Sequence, residues 1–90
     1  MTDAGQEGDY SAVADEQLDA LEAGADADLY NAALVACELI STDPDRARAL
    51  STAITTREGI RLRLPVVGHP PYKVFWSFDG PRVEAVLPHP

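Results

Sequence analysis

The chain has 90 residues, 46% of them apolar, with 15 acidic against 7 basic side chains and a net charge of −8. That length suits one small domain with a modest core. The acidic balance argues against broad, non-specific nucleic-acid binding. The lack of a long apolar run argues against a membrane-spanning helix, and a lone cysteine excludes an internal disulfide.

Residues 1–9 are small, polar or acidic, and read as a disordered tail ahead of a single domain over 10–90. No signal-peptide apolar region follows, so the expected location is the cytoplasm. Tyr10 to Ala14 carries a weak strand pattern. Asp15 and Glu16 suit a helix N-terminus, Leu18 and Leu21 share a face, and Gly24 ends a helix over 15–23. A second helix is predicted over 28–41. Leu29, Ala33, Ala36, Cys37 and Ile40 form its apolar stripe, widened by Tyr30 and Leu34. Cys37 reads as a small buried hydrophobe rather than a reactive thiol. Asp43 can cap and Pro44 can start a short helical turn running to Leu50.

The last thirty residues read as a three-stranded antiparallel meander. Ile60-Arg61-Leu62-Arg63-Leu64 alternates with period two, so Arg61 and Arg63 point together away from the core. Gly68-His69-Pro70-Pro71 is turn chemistry. Tyr72 to Phe78 is aromatic and β-branched, as in a central strand, with Tyr72 and Trp76 on the core parity. Asp79-Gly80 predicts a two-residue hairpin, and Arg82 to Leu87 a final strand before His89. The expected fold is therefore α+β: a small antiparallel sheet of three to four strands with two helices on one face. The expected core includes Leu34, Cys37, Ile40, Leu62, Val74 and Trp76.

Charge is segregated. Residues 1–30 hold nine acids and no Lys or Arg, whereas residues 61–90 hold Arg61, Arg63, Lys73 and Arg82 against Asp79 and Glu84. Paired arginines on one sheet face with a histidine at the rim can form a polyanion site. The plainer alternative is a solvated strand face, with Lys73 snorkelling at an edge, His69 as loop surface and His89 fraying at a chain end. No Cys/His cluster has zinc spacing and no phosphate-loop glycine pattern is present, so no cofactor and no metal are expected.

The order of elements and several short motifs resemble the RelE/ParE superfamily of bacterial type II toxin–antitoxin toxins. The matching features are Leu39-Ile40 before Asp43-Pro44, Gly59-Ile60-Arg61-Leu62-Arg63 at the sheet entry, Tyr72-Lys73-Val74, and His89 near the end of the last strand. The resemblance spans about residues 10–90. It implies a toxin whose partner is a cognate antitoxin. For the ribonuclease branch it implies a messenger-RNA endonuclease acting on the ribosome, with Arg61, Arg63, Lys73 and His89 in catalytic positions and Arg82 as a further RNA-binding cation. Cleavage by a 2′-hydroxyl builds charge on the phosphate, which fixed cations stabilise, and a histidine transfers the proton. The alternatives are a gyrase-inhibiting ParE-type toxin, whose partner is DNA gyrase, and a non-catalytic relative. The acidic charge and the lack of a basic tail after His89 depart from the ribonuclease pattern.

Overall fold

A computed structural model describes residues 9–90, so residues 1–8 of the expected acidic tail lie outside it. Among the described residues, three helices, α1 (Ala12–Ala23), α2 (Ala27–Thr42) and α3 (Pro44–Ala49), precede four strands. The strands β1 (Thr52–Thr56), β2 (Gly59–Pro65), β3 (Tyr72–Ser77) and β4 (Arg82–Pro88) form one antiparallel sheet in sequential order. The helices pack on a single face: α1 lies on β4, α2 on β3 and β4, and α3 on β2. The α+β prediction with helices on one face is what the chain adopts.

Local chemistry accounts for the helix boundaries. Ser11 caps α1: its Oγ accepts from the Ala14 N–H at 3.0 Å. Asp26 caps α2 through Leu29 N–H at 3.0 Å, and Asp43 caps α3 through Arg46 N–H with Pro44 just inside. Gly24 closes α1. The weak strand expected at Tyr10–Ala14 reduces to one parallel bridge, Tyr10 to Val83. The cap at Ser11 starts the helix three residues earlier than Asp15, and Ala14 is a fully buried helical residue.

Two other expectations need correction. The fourth strand is Thr52–Thr56, a segment to which the sequence reading gives no element. Its hairpin with β2 is closed by Thr56, whose Oγ1 donates to Gly59 O at 3.0 Å. Gly59 holds a φ of 121°, which an L side chain rarely adopts. At the other hairpin, Ser77 pairs with Arg82, so the loop has four residues rather than two, with Gly80 at φ 68°. The register slips between Phe75 and Trp76, which makes Glu84 the extra residue of a bulge in β4.

The inward faces of β2, β3 and β4 supply Leu62, Leu64, Val74, Trp76, Val83 and Val86. They meet Ala14, Leu18, Leu29, Ala33, Cys37 and Ile40 from the helices. Trp76 is 0% exposed, and its Nε1 donates to Ser51 Oγ at 3.0 Å, so the buried indole is satisfied. Leu34 departs from the expected core: it is 36% exposed. The α2 stripe centres on Ala33, Cys37 and Ile40, and Leu34 is turned away from it.

Candidate functional site

Strand alternation decides what the helix-free face carries. Across the sheet, Ile54 pairs with Arg61, Thr52 with Arg63, Arg63 with Phe75, Phe75 with Ala85, Lys73 with Leu87 and Ser77 with Arg82. Paired residues share a face, so Arg61, Arg63, Lys73 and Arg82 all stand on the outer face, opposite the core. Each is half-buried, because the side chains lie along their neighbours.

The structure brings three of the expected residues together. Arg63 Nη1 donates to His89 Nδ1 at 3.4 Å. Lys73 Nζ donates to the His89 carbonyl at 3.1 Å and to the Pro71 carbonyl at 3.2 Å. The His89 N–H donates to Pro71 O at 3.0 Å, extending the β3–β4 pairing past Pro88. The His89 ring meets Phe75 edge-on, with centroids 5.1 Å apart. His89 is thus met by backbone, by Arg63 and Lys73, and by an aromatic edge.

Arg61 and Arg82 share the face but not the cluster. Among the described residues, Arg61 Nη1 donates only to its neighbour's carbonyl, Ile60 O, at 3.3 Å. Arg82 stands at the far end of β4, near the Ser77–Glu84 hydrogen bond of 3.0 Å. The Nε atoms of Arg63 and Arg82 are buried and meet no acceptor among the described residues. The hydrogen bonds of Arg61, Arg63 and Lys73 go to carbonyl oxygens and an imidazole rather than to carboxylates. Their positive charge therefore remains available to an anion.

The tautomer of His89 follows from Arg63. A guanidinium can only donate, so Nδ1 accepts and the ring proton sits on Nε2 while this contact is made. His69, by contrast, belongs to the β2–β3 turn, where its carbonyl accepts from the Tyr72 N–H at 2.8 Å.

Phe75 is the site residue that sequence reasoning missed. The signal was present: Phe75 has the parity of Lys73, not that of Trp76. Arg48 and Phe78 form a second unpredicted pair, with the guanidinium carbon 4.8 Å from the ring centroid. On the helix side, an apolar groove of about 430 Å³ lies between α2 and β2, walled by Val35, Leu39, Leu50, Leu64 and Val67. Among the described residues, no cluster of three or more His, Cys, Asp or Glu could hold a metal ion. No helix there is long and apolar enough to cross a membrane.

Burial raises both groups of one inner pair. It pushes the Cys37 thiol up to about 11, against a hydrogen bond with Tyr10 that pulls it down. The Tyr10 phenol rises to about 12, first through burial and then through Cys37. Cys37 is accordingly an un-ionised core residue at neutral pH.

No family model, no characterised protein and no solved structure matches this chain.

Proposed function

We propose that this domain is the toxin of a bacterial type II toxin–antitoxin pair, of the RelE/ParE kind, and that it cuts messenger RNA on its outer sheet face. The supporting observation is the meeting of Arg63, Lys73 and His89 on a face that carries no helix. Arg61 and Arg63 hold the scissile phosphate. Lys73 is a positioning residue, since its ammonium clamps the backbone that carries His89.

The Arg63–His89 contact gives the reaction an order. A phosphate that takes over the Arg63 guanidinium releases Nδ1 of His89, whose lone pair then accepts the proton of the adjacent 2′-hydroxyl. The 2′-oxygen attacks phosphorus, the bond to the 5′-oxygen breaks, and a 2′,3′-cyclic phosphate forms. The leaving 5′-oxygen takes its proton from water. Arg61 and Arg63 offset the charge that builds on the phosphate. The antitoxin covers the same face with an amphipathic, acidic segment that neutralises Arg61 and Arg63.

A second reading has its own support. Lys73 and His89 are already engaged by the chain's own groups, and the chain carries −8. A gyrase-inhibiting ParE-type toxin, or a non-catalytic relative, would use the same sheet for docking alone. Induced expression with and without the antitoxin separates the two. The ribonuclease reading expects new transcript 5′ ends and intact gyrase supercoiling. Inhibited supercoiling with unbroken transcripts would transfer the assignment to the gyrase branch.

A further inference from the structure

The two edges of the sheet are treated differently. At β4, Ser11 N–H donates to Val83 O at 2.9 Å, Ser11 Oγ donates to Glu84 O at 2.6 Å, and Gln17 Oε1 accepts from the Val86 N–H. The bulge at Glu84 and Pro88 interrupt that edge further. At β1, none of these devices is present among the described residues. Thr52-Ala53-Ile54-Thr55-Thr56 has no charge, no proline and no bulge, and among the described residues its one partner strand is β2. Such an edge is a template for another strand.

The hairpin fixes which groups that edge offers. Thr56 and Gly59 close a two-residue turn and exchange backbone hydrogen bonds, so Thr52, Ile54 and Thr56 direct theirs toward β2. Ala53 and Thr55 direct theirs outward. The strand also reads nearly the same in both directions about Ile54, with threonine at both ends.

We propose that β1 pairs antiparallel with β1 of a second copy of this chain, about a two-fold axis at Ile54. Ala53 of each copy exchanges hydrogen bonds with Thr55 of the other. Thr52 faces Thr56, and Ile54 faces Ile54 as a close non-hydrogen-bonded pair. The result is a closed, isologous eight-stranded sheet.

The near-palindrome about Ile54 selects a second copy as the occupant, and charge within the strand does not oppose it. A chain at −8 resists self-association wherever its acidic half comes near. The described part of that half, in α1 and the start of α2, belongs to helices that pack on β3 and β4. The stretch 43–63 around the junction carries five arginines against three acids, and the strand itself carries no charge. Self-pairing therefore places no like charges opposite one another within the strand. The inference does not depend on the ribonuclease reading.

Sedimentation of the purified full chain tests it. The expected mass is twice 9.7 kDa, falling to the monomer in Thr55→Pro, which removes an outward N–H and leaves the β1–β2 ladder intact. Ile54→Cys supplies an independent readout. Oxidation should link two copies through position 54, where facing β-carbons come close enough for a disulfide, whereas Thr56→Cys alone should not link. A monomeric wild-type chain at high micromolar concentration would overturn the proposal. So would ready cross-linking of Thr56→Cys without Ile54→Cys. A wild-type monomer that gains a strand only from a different protein would assign the edge to that partner instead.

Discussion

Arg63 and His89, 26 positions apart in the chain, meet on the outer sheet face through a hydrogen bond of 3.4 Å from Nη1 to Nδ1. The contact holds the imidazole with its proton on Nε2. Arg63→Met should release the ring without removing it, so the His89 nitrogen shifts should move toward a tautomer mixture. Nitrogen-detected NMR of the wild type and the variant checks this. Unchanged His89 shifts would mean that the contact does not persist in solution.

Lys73 should matter through His89 rather than through its own charge. Lys73→Met removes two hydrogen bonds, to Pro71 O and His89 O. The prediction is a more mobile His89 amide, seen as a lower heteronuclear NOE, with core amides unchanged. A cleavage assay should lose roughly 10-fold or more, while substrate binding weakens less. A loss confined to binding would make Lys73 a simple phosphate contact.

The core prediction is steeper. Trp76→Ala should cost about 3–5 kcal/mol, because the indole is fully enclosed. Ser51→Ala should cost about 1–2 kcal/mol, since it orphans the Trp76 Nε1 donor. Urea unfolding of both variants gives the comparison, and near-equal midpoints would contradict it.

Ser11 joins two tasks, a helix cap and a tie to β4. Ser11→Ala should therefore destabilise by about 1–2 kcal/mol, more than Asp43→Ala, whose cap is exposed and makes no second bond. Equal losses would show that the tie to Glu84 O contributes little.

High pH should weaken the fold through Tyr10 and Cys37. Both pKa values are raised in the folded chain, so the unfolded chain ionises first. The stability linked to Cys37 is complete below about pH 9 and is lost as pH rises toward 11, by about 2–3 kcal/mol. Tyr10 adds a loss between about 10 and 12 in the same direction. Cys37→Ala should flatten the lower part of this window in unfolding midpoints. An unchanged slope would place the thiol in solvent contact.

Much of the architecture was legible because it rests on strong local signals. The alternation from Ile60 to Leu64 placed two arginines outside and Leu62 and Leu64 inside. The Asp43-Pro44 pair marked the start of α3. Strand β1 was missed for a physical reason. Ala53 and Thr55 are exposed, and an edge strand with little to bury shows no apolar alternation. What remained readable was its β-branched content and the turn before Gly59. Leu34 misled because a stripe drawn from hydrophobicity alone is wider than the face that α2 buries. The site was half legible. Parity put Arg61 and Arg63 on one face, but only the strand register adds Lys73 and Phe75 to it, and only the tertiary contacts bring His89 to Arg63 and turn Lys73 into a clamp.

Transcript 5′-end mapping in cells expressing the wild type or an Arg61→Ala/Arg63→Ala/His89→Ala variant tests the central claim most directly. The account predicts discrete new ends with the wild type. In the variant, cutting should fall by at least the roughly 10²–10³-fold expected for losing one preorganised charge contact, with the fold intact because all three side chains lie outside the core. Undiminished cutting or toxicity in a folded triple variant would contradict it and leave the outer face as a docking surface without catalytic residues.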